Sequence, residues 1–164
     1  MLPARPELTA LIVELETLAA REGAFAVDEL AARVAEIVLA TVSGAGERPG
    51  MPSSRDERRV SRVLRHIEEH AEEPLGLAGL AEVALMSKYH FLRTFRRSVG
   101  VTPYQFLLGL RLRRAAVRLC TTPASVADIA FDAGFGDLST FNKRFRDVFG
   151  ASPGAFRKTR GASA

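Results

Sequence analysis

The feature that most constrains this 164-residue chain is a pattern written twice. FLRTFRRSVGVTPYQF begins at Phe91 and FNKRFRDVFGASPGAF begins at Phe141. Placing Phe91 on Phe141 also superposes Phe95 on Phe145, Arg96 on Arg146, Gly100 on Gly150, Pro103 on Pro153 and Phe106 on Phe156. Upstream, Leu80-Ala81 corresponds to Ile129-Ala130 with the register shifted by one residue, an insertion that falls in the turn between two short helices. Each copy therefore predicts a short apolar helix, a tight turn and a second helix of about three turns, the helix-turn-helix plan.

Helical spacing separates core from surface in the second helix of each copy. Phe91, Phe95 and Val99 share one stripe, as do Phe141, Phe145 and Phe149, and these are read as core. The opposite side carries Tyr89, Leu92, Arg93 and Arg96 in the first copy and Ser139, Asn142, Lys143 and Arg146 in the second. Arg and Lys donate to guanine or phosphate, Asn pairs with adenine, and Leu or Tyr can touch a thymine methyl, so these residue types suit a DNA groove. A salt-bridged or solvated surface is the competing reading for any one of them.

Charge is distributed to match. Residues 1–55 hold 5 basic and 8 acidic residues and residues 56–86 hold 4 and 7, whereas from Ser87 onward there are 14 basic and 4 acidic. A polyanion-binding surface is expected in the C-terminal half.

The rest of the chain has helical periodicity and no credible alternating strand, so an all-α fold is expected. Val60, Val63, Leu64 and Ile67 stripe a helix that Glu73-Pro74 should end. Further helices are predicted near 77–84, 88–99, 103–120, 125–133 and 138–149, with Thr102-Pro103 and Ser152-Pro153 as helix starts. Toward the N-terminus, Leu8, Leu11, Ile12, Leu15, Leu18 and Ala19 form one amphipathic stripe, and Leu30, Val34, Ile37, Val38 and Thr41 form another. REGAFAVD supplies a turn between them, with Asp28 as an N-cap candidate. Residues 1–42 thus read as a helical hairpin whose apolar face packs on the rest of the chain or, the preferred reading, on a second copy. SGAGERPGMPSSR, residues 43–55, has linker composition, and residues 56–160 form the main domain.

The run from Leu77 to Arg157 resembles the DNA-binding domain of the AraC/XylS family of bacterial transcription regulators. LAGLAEVALMSKYHFLRTFRRSVGVTPYQFL, the connecting LRLRRAAVRL and SVADIAFDAGFGDLSTFNKRFRDVFGASPGAFRK carry the resemblance over about half of the chain. It implies two helix-turn-helix subdomains joined by a long helix, roughly Pro103 to Cys120, placing recognition helices in successive major grooves, about 34 Å apart. Carried over, the DNA-facing positions are Lys88, Tyr89, Leu92, Arg93 and Arg96, then Leu138, Ser139, Asn142, Lys143 and Arg146, with Thr140 near a phosphate. Arg93 is the base reader of choice, while Arg96 and Arg146 hold the backbone. Leu85 stands where the family often has Gly, and a bulky residue disfavours positive φ, so the first turn is expected to be shaped differently from that at Gly134.

The resemblance further implies double-stranded DNA and RNA polymerase as partners, leans toward activation, and likens the hairpin to the helical tail by which sensor domains dimerise. A homodimer through residues 7–42 is the expectation, in a chain that is either a reduced regulator or part of a longer one. No cofactor is expected. No apolar run approaches membrane-span length and no signal peptide is recognisable, so a cytoplasmic location fits. Cys120 is the single cysteine and reads as core.

Two other functions compete. HIEEH, residues 66–70, matches a zinc-hydrolase pattern with two His on one helix face, although the chain has only one other His. The other is a helical protein-interaction adaptor whose basic half only solvates it. No Ser/His/Asp set, phosphate loop or nucleotide fingerprint appears.

Overall fold

The structure, a computed structural model, describes residues 25–35, 38 and 53–161. Residues 25–35 are helical (α1), followed by α2 (Ser54–Glu69), α3 (Leu77–Ala84), α4 (Lys88–Val99), α5 (Pro103–Thr121), α6 (Val126–Asp132), α7 (Leu138–Phe149) and α8 (Pro153–Gly161). The fold is all-α, and no strand occurs among the described residues. The first predicted helix of the hairpin, near residues 8–19, lies outside them.

Two compact units divide the chain. The first comprises Met1–His66 and Leu75–Tyr104, the second Ile67–Pro74 and Gln105–Ala164, so α2 and α5 each contribute to both. In the first unit, Val60 and Val63 of α2, Leu77, Leu80 and Ala84 of α3, and Phe91 and Phe95 of α4 are buried. The Phe91 and Phe95 rings meet edge to face at 5.6 Å. Phe25, Ala26, Leu30 and Ala32 of α1 are buried as well.

The second unit has a continuous aromatic core. Phe141 packs on Phe135 at 5.0 Å, Phe145 on Phe149 at 4.4 Å, and Phe145 on Phe156 of α8 at 5.3 Å, above Leu112, Ala115 and Leu119 of α5. Four arginines tie this unit together by donating to backbone or acidic oxygens. Arg111 reaches the carbonyls of Ala71 (2.6 Å) and Glu73 (2.7 Å), and Arg114 reaches that of Glu68 (2.6 Å). Glu68 lies in the last turn of α2 and Ala71 and Glu73 just beyond it, the end of a helix that favours a cation. Arg157 likewise bonds Leu119 O and Ala124 O, and Arg118 pairs with Asp132 at 2.6 Å.

Three local expectations need correction. Asp28 is not an N-cap, because residues 25–28 are already helical; burial of Phe25 and Ala26 extends α1 through the expected turn. Ser54 and Arg55, read as linker, belong to α2, since Ser53 Oγ accepts the Asp56 N–H (3.2 Å) and donates to its carboxylate (2.9 Å), capping the helix one residue earlier. At its other end α2 stops at Glu69, before Glu73-Pro74, where the Arg111 and Arg114 bonds take over.

Candidate nucleic-acid interface

The two turns that aim α4 and α7 are built alike. Leu85 N–H donates to Glu82 O and Met86 N–H to Ala81 O; Gly134 N–H donates to Phe131 O and Phe135 N–H to Ala130 O. Both are Schellman closures with a left-handed residue at the same position, φ 54° for Leu85 and 86° for Gly134. The expectation that Leu85 would reshape the first turn is therefore overturned: the paired bonds outweigh the strain on its side chain. Up to this point the copies are offset by 49 residues, and from the N-caps Ser87 and Asp137 onward by 50, so the extra residue is Gly136.

Each recognition helix then runs twelve residues between matching caps. Ser87 Oγ accepts from His90 N–H and the Asp137 carboxylate from Thr140 N–H, while left-handed Gly100 and Gly150 donate to Arg96 O and Arg146 O. The bond from the Thr140 N–H, with the Thr140 side chain adding to it, holds the Asp137 carboxyl below the ordinary range, so that it is charged.

On α4, Lys88, Tyr89, Arg96 and Arg97 are exposed and Arg93 is half-buried. Leu92 departs from the expected groove face. It is only 2% exposed, because it follows Phe91 by 100° on the wheel and lies within the flank of the Phe91–Phe95 stripe. Its counterpart Asn142 is half-buried, which marks this register position as the seam between core and surface. On α7, Ser139, Lys143 and Arg146 are exposed, Thr140 is half-buried, and Leu138 packs one side on the core.

Position by position the two faces differ in charge. Ser87, Lys88 and Arg97 in the first copy align with Asp137, Leu138 and Asp147 in the second. Arg97 and Asp137 were absent from the sequence-derived candidates, yet the 50-residue offset would have exposed both. His66 and His70 do not form the expected helical pair, since α2 ends at Glu69. Among the described residues no group of three or more His, Cys, Asp or Glu is placed to hold a metal ion.

A helix-turn-helix domain family matches residues 80–159. The DNA-binding domain of AdpA, a global transcriptional factor, solved in complex with a target DNA, is 32% identical with a TM-score of 0.62, covering 64% of this chain and 95% of that one. A transcriptional regulator from Chromobacterium violaceum with an AraC-type DNA-binding domain is 26% identical at TM-score 0.61, covering 68% of this chain and all of that one. The chain belongs to the AraC family.

Among full relatives of this AraC-family chain, the transcriptional activator NphR of a Rhodococcus species is 38% identical over 136 residues, 81% of this chain. The chain spans 37% of that protein's length. Because the 136 matched residues exceed the 80–159 segment, the similarity to NphR takes in part of the region preceding α3.

Proposed function

We propose that this chain is a sequence-specific reader of double-stranded DNA that regulates transcription, each unit offering one recognition helix to a major groove. One observation carries the reading. The same capped twelve-residue helix is built twice on the same buried frame, with side chains that differ on the exposed face. A repeat kept for stability alone has no need of different exposed faces, whereas reading two adjacent sites does.

In this reading Arg93 and Asn142 address bases, Lys88, Tyr89, Ser139 and Lys143 line the grooves, and Arg96, Arg97 and Arg146 hold phosphates. Activation follows the precedent of NphR. RNA polymerase as a partner, a homodimer through residues 7–42 and a cytoplasmic location belong to the same proposal. Among the described residues no helix is long and apolar enough to cross a membrane.

Selection of bound fragments from random duplex tests it. The expected result is a preferred sequence at fixed salt, with affinity falling linearly as log salt rises. Binding that falls with salt but prefers no sequence would leave a basic adaptor and remove the regulator.

A further inference from the structure

Glu29 of α1 is a buried carboxylate, 5% exposed, that DNA contact does not explain. Its Oε2 accepts the N–H of Tyr104 at 3.0 Å, and it also receives the Thr102 hydroxyl. Thr102 and Tyr104 flank Pro103, the first residue of α5, and Thr102 is two residues past Gly100, which caps the end of α4. The carboxylate is therefore the N-terminal cap of α5, supplied by a residue 75 positions earlier in the chain. Phe25, one turn before Glu29, meets the Tyr104 ring edge to face at 5.6 Å.

The second copy shows what the frame does without such help. Ser152, the counterpart of Thr102, caps its own helix by accepting the Ala155 N–H at 3.3 Å. Thr102 in addition gives its hydroxyl hydrogen to Glu29, and it is buried where Ser152 is half-buried. The two junctions thus share a sequence pattern, and α1 adds a buried carboxylate to the first.

We infer that Glu29 is a positioning residue for DNA reading, through which α1 holds the α4–α5 junction and so sets the aim of the first recognition helix. This rests on the DNA-binding reading. Arg33 and Arg96 lie within electrostatic reach of the same carboxylate, which connects α1 to a residue assigned to phosphate. Release of α1 takes the Glu29 acceptor away from the Tyr104 N–H and loosens α4. The second copy, self-capped at Ser152, keeps its frame. Any signal that reaches α1 from the preceding segment therefore acts on one reading head and spares the other.

The experiment uses the full chain and the sequence it selects from random duplex. Base-by-base discrimination is measured for wild type, Glu29→Ala and Glu29→Gln, with helical content checked by circular dichroism. Glu29→Ala should lose about tenfold in affinity, with discrimination lost in the half-site of the first unit and kept in the other. Glu29→Gln, which can still accept from Tyr104 and Thr102, should restore that pattern. Equal loss across both half-sites, or no loss in a folded Glu29→Ala, overturns the inference while leaving the DNA reading intact. A wild-type chain that selects no sequence overturns both. If Glu29→Ala does not fold, amide exchange on wild type decides: slow exchange at Tyr104 that slows further on DNA supports the inference, and exchange there indifferent to DNA overturns it.

Discussion

Leu85 and Gly134 occupy one and the same left-handed turn position, closed in both copies by the same two backbone hydrogen bonds. Only glycine adopts this conformation without strain. Leu85 is 68% exposed, so its side chain gains little from packing in return. Leu85→Gly should raise stability by about 0.5 to 1 kcal/mol, the relief of left-handed strain less the greater chain entropy of unfolded glycine. Chemical denaturation of the two proteins measures this directly, and a loss of stability would show that Leu85 packs in a way its exposure does not suggest.

The opposite change in the second copy should be costly. A Cβ at Gly134 would lie 2.9 Å from the Glu72 carbonyl oxygen and 2.9 Å from Cζ of Arg111, at a φ of 86°. Arg111 cannot simply withdraw, because it holds the carbonyls of Ala71 and Glu73. Gly134→Ala should lose about 2 to 3 kcal/mol, the sum of backbone strain and a disturbed Arg111 network. The contrast with Leu85→Gly, in the same assay, separates the close approach from the turn conformation that both share.

Much of this was legible because a repeat checks itself. The aromatic stripes, the cap glycines and the bounds of α4 and α7 all follow from aligning Phe91 with Phe141. Leu92 departs from the sequence expectation because it sits on the seam, where a one-residue step of 100° from Phe91 still falls within the buried flank. Asp28 was misassigned because a polar residue after a small-residue run looks like a helix start, whereas the burial of Phe25 is decided by contacts distant in sequence. Glu29 capping α5 lies beyond any local pattern, since 75 residues separate donor from acceptor. The roles of Arg111, Arg114 and Arg157 are hidden for a related reason: a charge run does not reveal which members face carbonyls of distant residues.

Protonation of Glu29 gives a pH signature. Burial pushes its carboxyl above the ordinary value of 4.5, partly opposed by bonds from Thr102 and Tyr104 and by Arg33 and Arg96. A group that holds its proton more tightly when folded contributes stability that is fully present below the unfolded value and lost as pH rises through the folded one. Wild type should therefore lose stability relative to Glu29→Gln as pH rises from about 4 toward neutrality. Thermal melts of the pair across that range test the sign; a difference that does not change with pH would show that the carboxyl is not raised.

Asp137 places a negative charge at the start of the second recognition helix, where the first has neutral Ser87. Asn caps helices about as well as Asp, so Asp137→Asn keeps the bond to Thr140 N–H while removing the charge. DNA affinity should rise about two- to fivefold at low salt and the gain should shrink as salt screens it. Asp137→Ala, by contrast, loses the cap and about 1 kcal/mol of stability. Titrations of both variants at two salt concentrations distinguish charge from capping.

Base reading and backbone holding make different demands of an arginine. Arg93 is half-buried in the middle of α4, where its reach is limited to what lies directly against the helix, whereas Arg146 is exposed in the last turn of α7. Arg93→Ala should relax preference at one base position by about 1 to 3 kcal/mol while other positions keep theirs. Arg146→Ala should weaken all sequences alike and reduce the salt slope by about 1. Competition binding against single-base variants of the selected site, repeated across salt, resolves the two. If Arg93→Ala instead weakens every variant uniformly, Arg93 holds the backbone, and base discrimination in the first unit must pass to Lys88 and Tyr89, the exposed residues at the start of the same helix.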